Sequence, residues 1–196
     1  MKQKHWYDYL WIWTITYFAL GFFNILFTWL GLICFALPLL FAIFGGNKRY
    51  CNHYCGRSQL FVVLAGRLKG RDMKPAPRWM ASKGFRYGFL AFFMTMFGTM
   101  IAQTVRVYGG ASSLRQVVKL FWTFKVPWQW AYTAGTAPDW VAQFSFGFYS
   151  LMLTSTLIGL IVMALYRPRT WCTFCPMGAM TQMICRAKQR GNAPQE

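Results

Sequence analysis

Residues 9–44 read YLWIWTITYFALGFFNILFTWLGLICFALPLLFAIF, 36 consecutive positions without a charged side chain. A spanning helix needs roughly 20 mostly apolar residues to cross about 30 Å of hydrocarbon. As one helix this run would measure about 54 Å at 1.5 Å per residue, too long for a single span without extreme tilt. Gly21 and Asn24 supply a break near its middle. The run therefore reads as two short helices, residues 6–20 and 25–44, with Pro38 kinking the second. A single tilted helix with a re-entrant end is the competing reading.

Two more uncharged runs follow, residues 87–105 and 140–166. The expected fold is an all-α membrane protein with four transmembrane helices, built as a single integral membrane domain over residues 1–196. The basic start, Lys2 and Lys4, leads into an apolar stretch far longer than a signal peptide's, with no small-residue cleavage site. Residues 108–139 are rich in interfacial aromatics, and Leu114, Val117, Val118, Phe121 and Trp122 recur at helical spacing. They predict an amphipathic helix lying on the membrane, with a loop packed on the bundle as the alternative.

Composition agrees with this reading. The 196 residues carry a formal charge of +17, from 21 Lys+Arg against 4 Asp+Glu, yet only 13% are charged while 56% are hydrophobic and 20% aromatic. A soluble nucleic-acid binder of that charge would need far more polar surface, so a nucleic-acid partner is not expected. The positive charge is unevenly placed. With four spans, the two termini and residues 45–86 share one side and hold 17 of the 21 cationic side chains. The positive-inside rule makes that side cytoplasmic, in a bacterial inner membrane.

Six cysteines are present, and four form two pairs. Cys51-Asn52-His53-Tyr54-Cys55 is a C-x3-C, and Cys172-Thr173-Phe174-Cys175-Pro176 is a C-x2-C-P. Each pair follows an apolar run and a basic junction, with an aromatic residue before its first cysteine: Tyr50 in one, Trp171 in the other. The likeness reads as one unit used twice, a helix hairpin plus a cysteine motif, with pseudo-repeats at about 1–80 and 81–196. It also predicts both pairs on one membrane face.

Four thiolates meeting there admit an iron-sulfur cluster, a tetrahedral zinc ion or disulfide chemistry. A reducing cytoplasm weighs against stable disulfides. Zinc accepts four thiolates as readily as iron does. Proline directly after a final cysteine is a habit of ferredoxin-type loops and favours a [4Fe-4S] cluster. The expected ligands are Cys51, Cys55, Cys172 and Cys175. Such a centre carries net negative charge at a low-dielectric boundary, and Arg49, Arg57 and Arg169, with Lys48 and Arg167, would offset it. His53, between the first two cysteines, would hydrogen-bond a cluster sulfur or remain a polar loop residue.

The stretch Arg167-Pro-Arg-Thr-Trp-Cys-Thr-Phe-Cys-Pro-Met-Gly178, with Arg49-Tyr-Cys51-x3-Cys55 as its partner, resembles the NapH/NosR-type membrane iron-sulfur proteins. The resemblance implies an electron-transport subunit of an oxidoreductase complex rather than a stand-alone enzyme. It would move electrons between the quinone pool, or a flavoprotein or ferredoxin-like partner, and a second redox protein. The chain departs from the pattern at Gly56, where the family usually has proline, and in its shorter second spacing.

Two other classes compete. One is a quinone-coupled thiol-disulfide oxidoreductase of the DsbB or vitamin K epoxide reductase kind, whose chemistry belongs on the oxidising side. The other is an assembly or anchor subunit with a structural metal. Haem is disfavoured, since there is no C-x-x-C-H and only His5 and His53 are present. His5 with Asp8 would serve either a quinol site or interfacial anchoring. Cys34 and Cys185 read as packing residues, and Gln103 with Thr95, Thr99 and Thr104 as a source of helix-to-helix hydrogen bonds.

Overall fold

In hydrocarbon, every backbone N–H and C=O must find its partner within the segment, which makes helices the default for long apolar runs. A computed structural model describes residues 9–45, 50–67, 74–121, 123–133 and 135–191. Its helices are α1 (Leu10–Phe23), α2 (Leu30–Gly45), α3 (Gly56–Arg67), α4 (Lys83–Tyr108), α5 (Asp139–Leu165), α6 (Thr170–Phe174) and α7 (Pro176–Gly191). A 3-10 turn, Ile25–Trp29, leads into α2, and a π-helical turn, Tyr50–Tyr54, follows it.

The break in the first apolar run falls at Asn24. Its backbone is extended (φ −142°, ψ 117°), and its side-chain oxygen accepts the Leu26 N–H at 3.0 Å. A capped start of this kind satisfies a donor that a new helix would otherwise leave exposed. Pro38 lies inside α2.

Three segments are long and apolar enough to cross a membrane: Ile25–Gly45 with 21 residues, Lys83–Tyr108 with 26 and Asp139–Leu165 with 27. They coincide with the second, third and fourth expected spans. α1 has 14 residues, about 21 Å at 1.5 Å per residue, less than the roughly 30 Å of a hydrocarbon core. Of the four expected transmembrane helices, three are thus of membrane-crossing length, and the first is a shorter apolar helix. His5 and Asp8 lie outside the described residues.

The predicted amphipathic helix after α4 is instead a β-hairpin, β1 (Val117–Leu120) and β2 (Phe124–Pro127), antiparallel with Val118 opposite Val126 and Leu120 opposite Phe124. β-Branched Val117, Val118 and Val126 suit a pleated surface, and Phe121, at φ 48°, turns the chain in a way no helix permits.

The chain divides into two compact units, each drawn from both halves of the sequence. The first comprises residues up to Thr14, Ile33–Ala91 and Gly159 onward; the second comprises Ile15–Leu32 and Phe92–Ile158. The second unit packs Val118, Trp128 and Tyr132 of the hairpin region against Ile25 and against Ala142, Phe146 and Tyr149 of α5. α5 also serves as a surrogate edge partner for β1. Ser150 Oγ accepts the Lys119 N–H at 3.0 Å, and Gln143 Oε1 accepts the Arg115 N–H at 3.0 Å. A strand amide and one just before the strand, which would otherwise go unpaired, are thereby satisfied.

The anticipated bonding between helices by α4 threonines does not appear at Thr99 and Thr104. Their hydroxyls donate to the Met96 and Met100 carbonyls of the same helix. Gln103 lines a cavity of about 430 Å³ together with Met96, Gly147, Lys119 and Lys125.

Candidate metal centre

All six cysteines are free thiols, and both cysteine pairs belong to the first unit. Chain chemistry explains how each pair is presented. In the second motif, α6 carries Cys172, and α7 begins at Pro176. Proline at the first helical position loses no needed N–H, and it biases the preceding residue toward extended backbone. Cys175 accordingly sits at φ −50°, ψ 129°, and its carbonyl accepts the Ala179 N–H at 2.9 Å. It is the N-cap of α7. The Gly178 N–H donates to its sulfur, as a capping oxygen would be satisfied.

The first motif repeats this plan with different parts. Cys51 lies in the π-helical turn, and the Cys55 carbonyl accepts the Gln59 N–H at 3.1 Å, making Cys55 the N-cap of α3. The extra residue of the C-x3-C is absorbed by that wider turn, whereas the C-x2-C is spanned by the α-helical turn of α6. Gly56, the residue after the second cysteine, lies too close to α1 for a side chain. A Cβ there would lie 2.6 Å from Thr14 Oγ1 and 2.7 Å from the Leu10 carbonyl oxygen.

Aromatic packing fixes both turns. Tyr50 packs on Phe41, their ring centres 5.8 Å apart. Trp171 packs edge-on to Phe89 at 5.8 Å, and Phe174 meets both Phe85 and Phe89 at 5.3 Å. Gly159 of α5 admits Phe61 of α3 at a separation no side chain would allow. Two cations tie the elements together. Arg86 donates from Nε to the Thr173 carbonyl at 3.1 Å and from Nη2 to Gln182 Oε1 at 2.6 Å. Lys188 of α7 donates to the Ile43 and Phe44 carbonyls at 2.9 and 3.1 Å, capping the end of α2. Neither contact is apparent from the sequence, where both residues read only as positive-inside charge.

The two pairs are close enough to act on one another electrostatically. Burial pushes the Cys172 thiol up, and negative charge on Cys55 and Cys51 pushes it the same way, against Ser58 and Arg169. Burial takes the Cys175 thiol up to about 11, with the Gly178 N–H and Arg57 opposing, and Cys55 and Cys172 adding to the rise. Arg57 and Arg169 each oppose the rise, at Cys175 and Cys172 respectively. Arg49 and Lys48 lie outside the described residues. His53 is exposed, and its carbonyl accepts the Gln59 amide at 3.3 Å. Cys34 sits in α2 near Trp13, and Cys185 is buried in α7.

Across the motifs, each first cysteine meets a hydroxyl on the other motif's helix. Cys172 Sγ lies 3.6 Å from Ser58 Oγ of α3, and Cys51 Sγ lies 3.9 Å from Thr181 Oγ1 of α7. Among the described residues, no three His, Cys, Asp or Glu side chains gather tightly enough to hold one metal ion. A single zinc ion draws its thiolates in to about 2.3 Å.

Residues 27–71 and 150–191 match the family model of a 4Fe-4S binding domain. Those segments contain both cysteine pairs and the helices they cap. The chain is an iron-sulfur protein, and its cofactor is a [4Fe-4S] cluster. It matches no curated protein and no solved structure.

Proposed function

We propose that the chain is a membrane-embedded electron-transfer subunit in which Cys51, Cys55, Cys172 and Cys175 together hold one [4Fe-4S] cluster. The observation that carries this reading is the matched presentation of the two pairs within one unit. Each closes on a cysteine that caps a helix, and each has its first cysteine against the opposite helix. Helix N-termini present oriented N–H groups and partial positive charge, which stabilise anionic sulfur. Arg57 and Arg169 add full charges nearby.

A bound [4Fe-4S] cluster supplies reversible one-electron transfer. The protein's contribution is to hold four thiolates rigidly, exclude water behind Trp171 and Phe174, and keep one edge accessible. Cys172 is that edge, as the one exposed residue among the four, the others being half-buried. Electrons would pass through it between the quinone pool, or a flavoprotein or ferredoxin-like donor, and a partner redox protein. We place the protein in the bacterial inner membrane with α1 as a short fourth span and both motifs and both termini cytoplasmic. The cationic residues that flank the motifs support this orientation.

Anaerobic purification tests the proposal. The expected product is brown, with broad visible absorption and four irons and four acid-labile sulfides per chain. A colourless, zinc-loaded protein would overturn it. Orientation is read separately, by a reporter fused after Glu196 that is active in the cytoplasm.

A further inference from the structure

The crossed hydroxyl contacts are not equivalent. Thr181 Oγ1 is 3.9 Å from Cys51 Sγ, and its proton is already committed to the Gly178 carbonyl at 3.1 Å. Ser58 is 7% exposed, and its hydroxyl has the Cys172 sulfur, at 3.6 Å, as its hydrogen-bond partner among the described residues. It occupies the third position of α3, in the first turn, directly downstream of the Cys55 cap. Its oxygen is held by a helix that belongs to one cysteine pair and meets the sulfur of the other.

In the free thiol, Cys172 donates to Ser58. A metal-ligating sulfur has no proton, so the hydroxyl rotates and becomes the donor. A hydrogen bond to a ligating sulfur stabilises the more negative, reduced state over the oxidised one, because the added electron raises charge density on the sulfurs. Ser58 itself is buried, so water does not readily replace this donor on its own side of the contact.

We infer that Ser58 is a positioning residue that raises the reduction potential through Cys172, the ligand on the accessible edge, whereas Thr181 chiefly secures α7. This inference rests on the ligand set proposed above. Ser58 would bias the thermodynamic direction of electron flow without touching iron itself.

The test is an anaerobic redox titration of the full-length chain in detergent, followed by electron paramagnetic resonance. In Ser58→Ala, the reduced-to-oxidised ratio at the wild-type midpoint should fall by about three- to tenfold, tenfold being 59 mV for a one-electron couple. Ser58→Thr, which keeps the hydroxyl, should stay within about twofold, and Thr181→Val should shift less than Ser58→Ala. An unshifted potential in Ser58→Ala with full iron content overturns the inference. Should that variant fail to load, Ser58→Gly and Ser58→Val are titrated in its place. If no variant lacking the hydroxyl loads, the residue acts through structure alone and the inference is likewise overturned. The ligand set fails independently if Cys172→Ala keeps wild-type iron and sulfide.

Discussion

The two cysteine motifs solve one problem with different residues. Cys51 and Cys55 are bridged by a π-helical turn, and Cys172 and Cys175 by an α-helical one. After the second cysteine, one copy has Gly56 wedged against the α1 backbone, and the other has Pro176 fully buried at the start of α7. Both arrive at a cysteine whose carbonyl accepts the first bond of a helix. What the motifs share is the position of a sulfur at a helix N-terminus; spacing and following residue adjust to whatever packs nearby.

If the copies contribute equally, removing either should cost everything. Cys55→Ala and Cys175→Ala are each expected to bring iron to background, while Cys34→Ala and Cys185→Ala keep it. Iron measured on variants purified anaerobically decides the matter, and half-occupancy in a single-motif variant would mean that the copies act separately.

Deleting Asn52 converts the first spacing to that of the second. The π-helical turn must then tighten and re-aim Cys51 away from Thr181, so most of the iron should be lost although all four cysteines remain. Undiminished iron would show that the wide turn is incidental.

Gly56→Ala drives a methyl group into the Leu10 carbonyl and Thr14 hydroxyl, and overpacking of this kind costs about 1–3 kcal/mol. Thermal unfolding reads the loss, and an unshifted transition would remove the steric reason for glycine in the first copy.

The smallest effect concerns protons. The Cys175 thiol is held up at about 11 and Cys172 is raised as well, both chiefly by burial. With both raised, the thiols are protonated near neutrality, and metal binding must release their protons. Reconstitution of the iron-free chain should therefore become more favourable as pH rises through neutrality, and titration of the liberated protons should report net release. Loading that is independent of pH would contradict this assignment.

Much of this architecture is written in local residues. The break at Asn24 and the three long helices follow from apolar length, and both copies of the doubled cysteine unit fall in one compact unit. The hairpin at 117–127 was hidden because five apolar residues at mixed spacing suit a short helix as well as a strand. Ser150 and Gln143, more than twenty residues away, settle it by accepting the N–H of Lys119 in the strand and of Arg115 just before it. Ser58, Arg86 and Lys188 were equally illegible, since their roles arise from partners 114, 87 to 96, and 144 to 145 residues distant. The one hint was that Ser58 follows Cys55 by three, placing it in the first turn of whatever helix Cys55 begins.

The central claim is that two motifs build a single centre, and counting tests it most directly. Iron, sulfide and spin should be quantified together on the dithionite-reduced full-length protein. The account predicts four irons, four sulfides and at most one unpaired spin per chain, all lost together in Cys55→Ala. Eight irons, two interacting spins, or a zinc-loaded protein without visible absorption would contradict it.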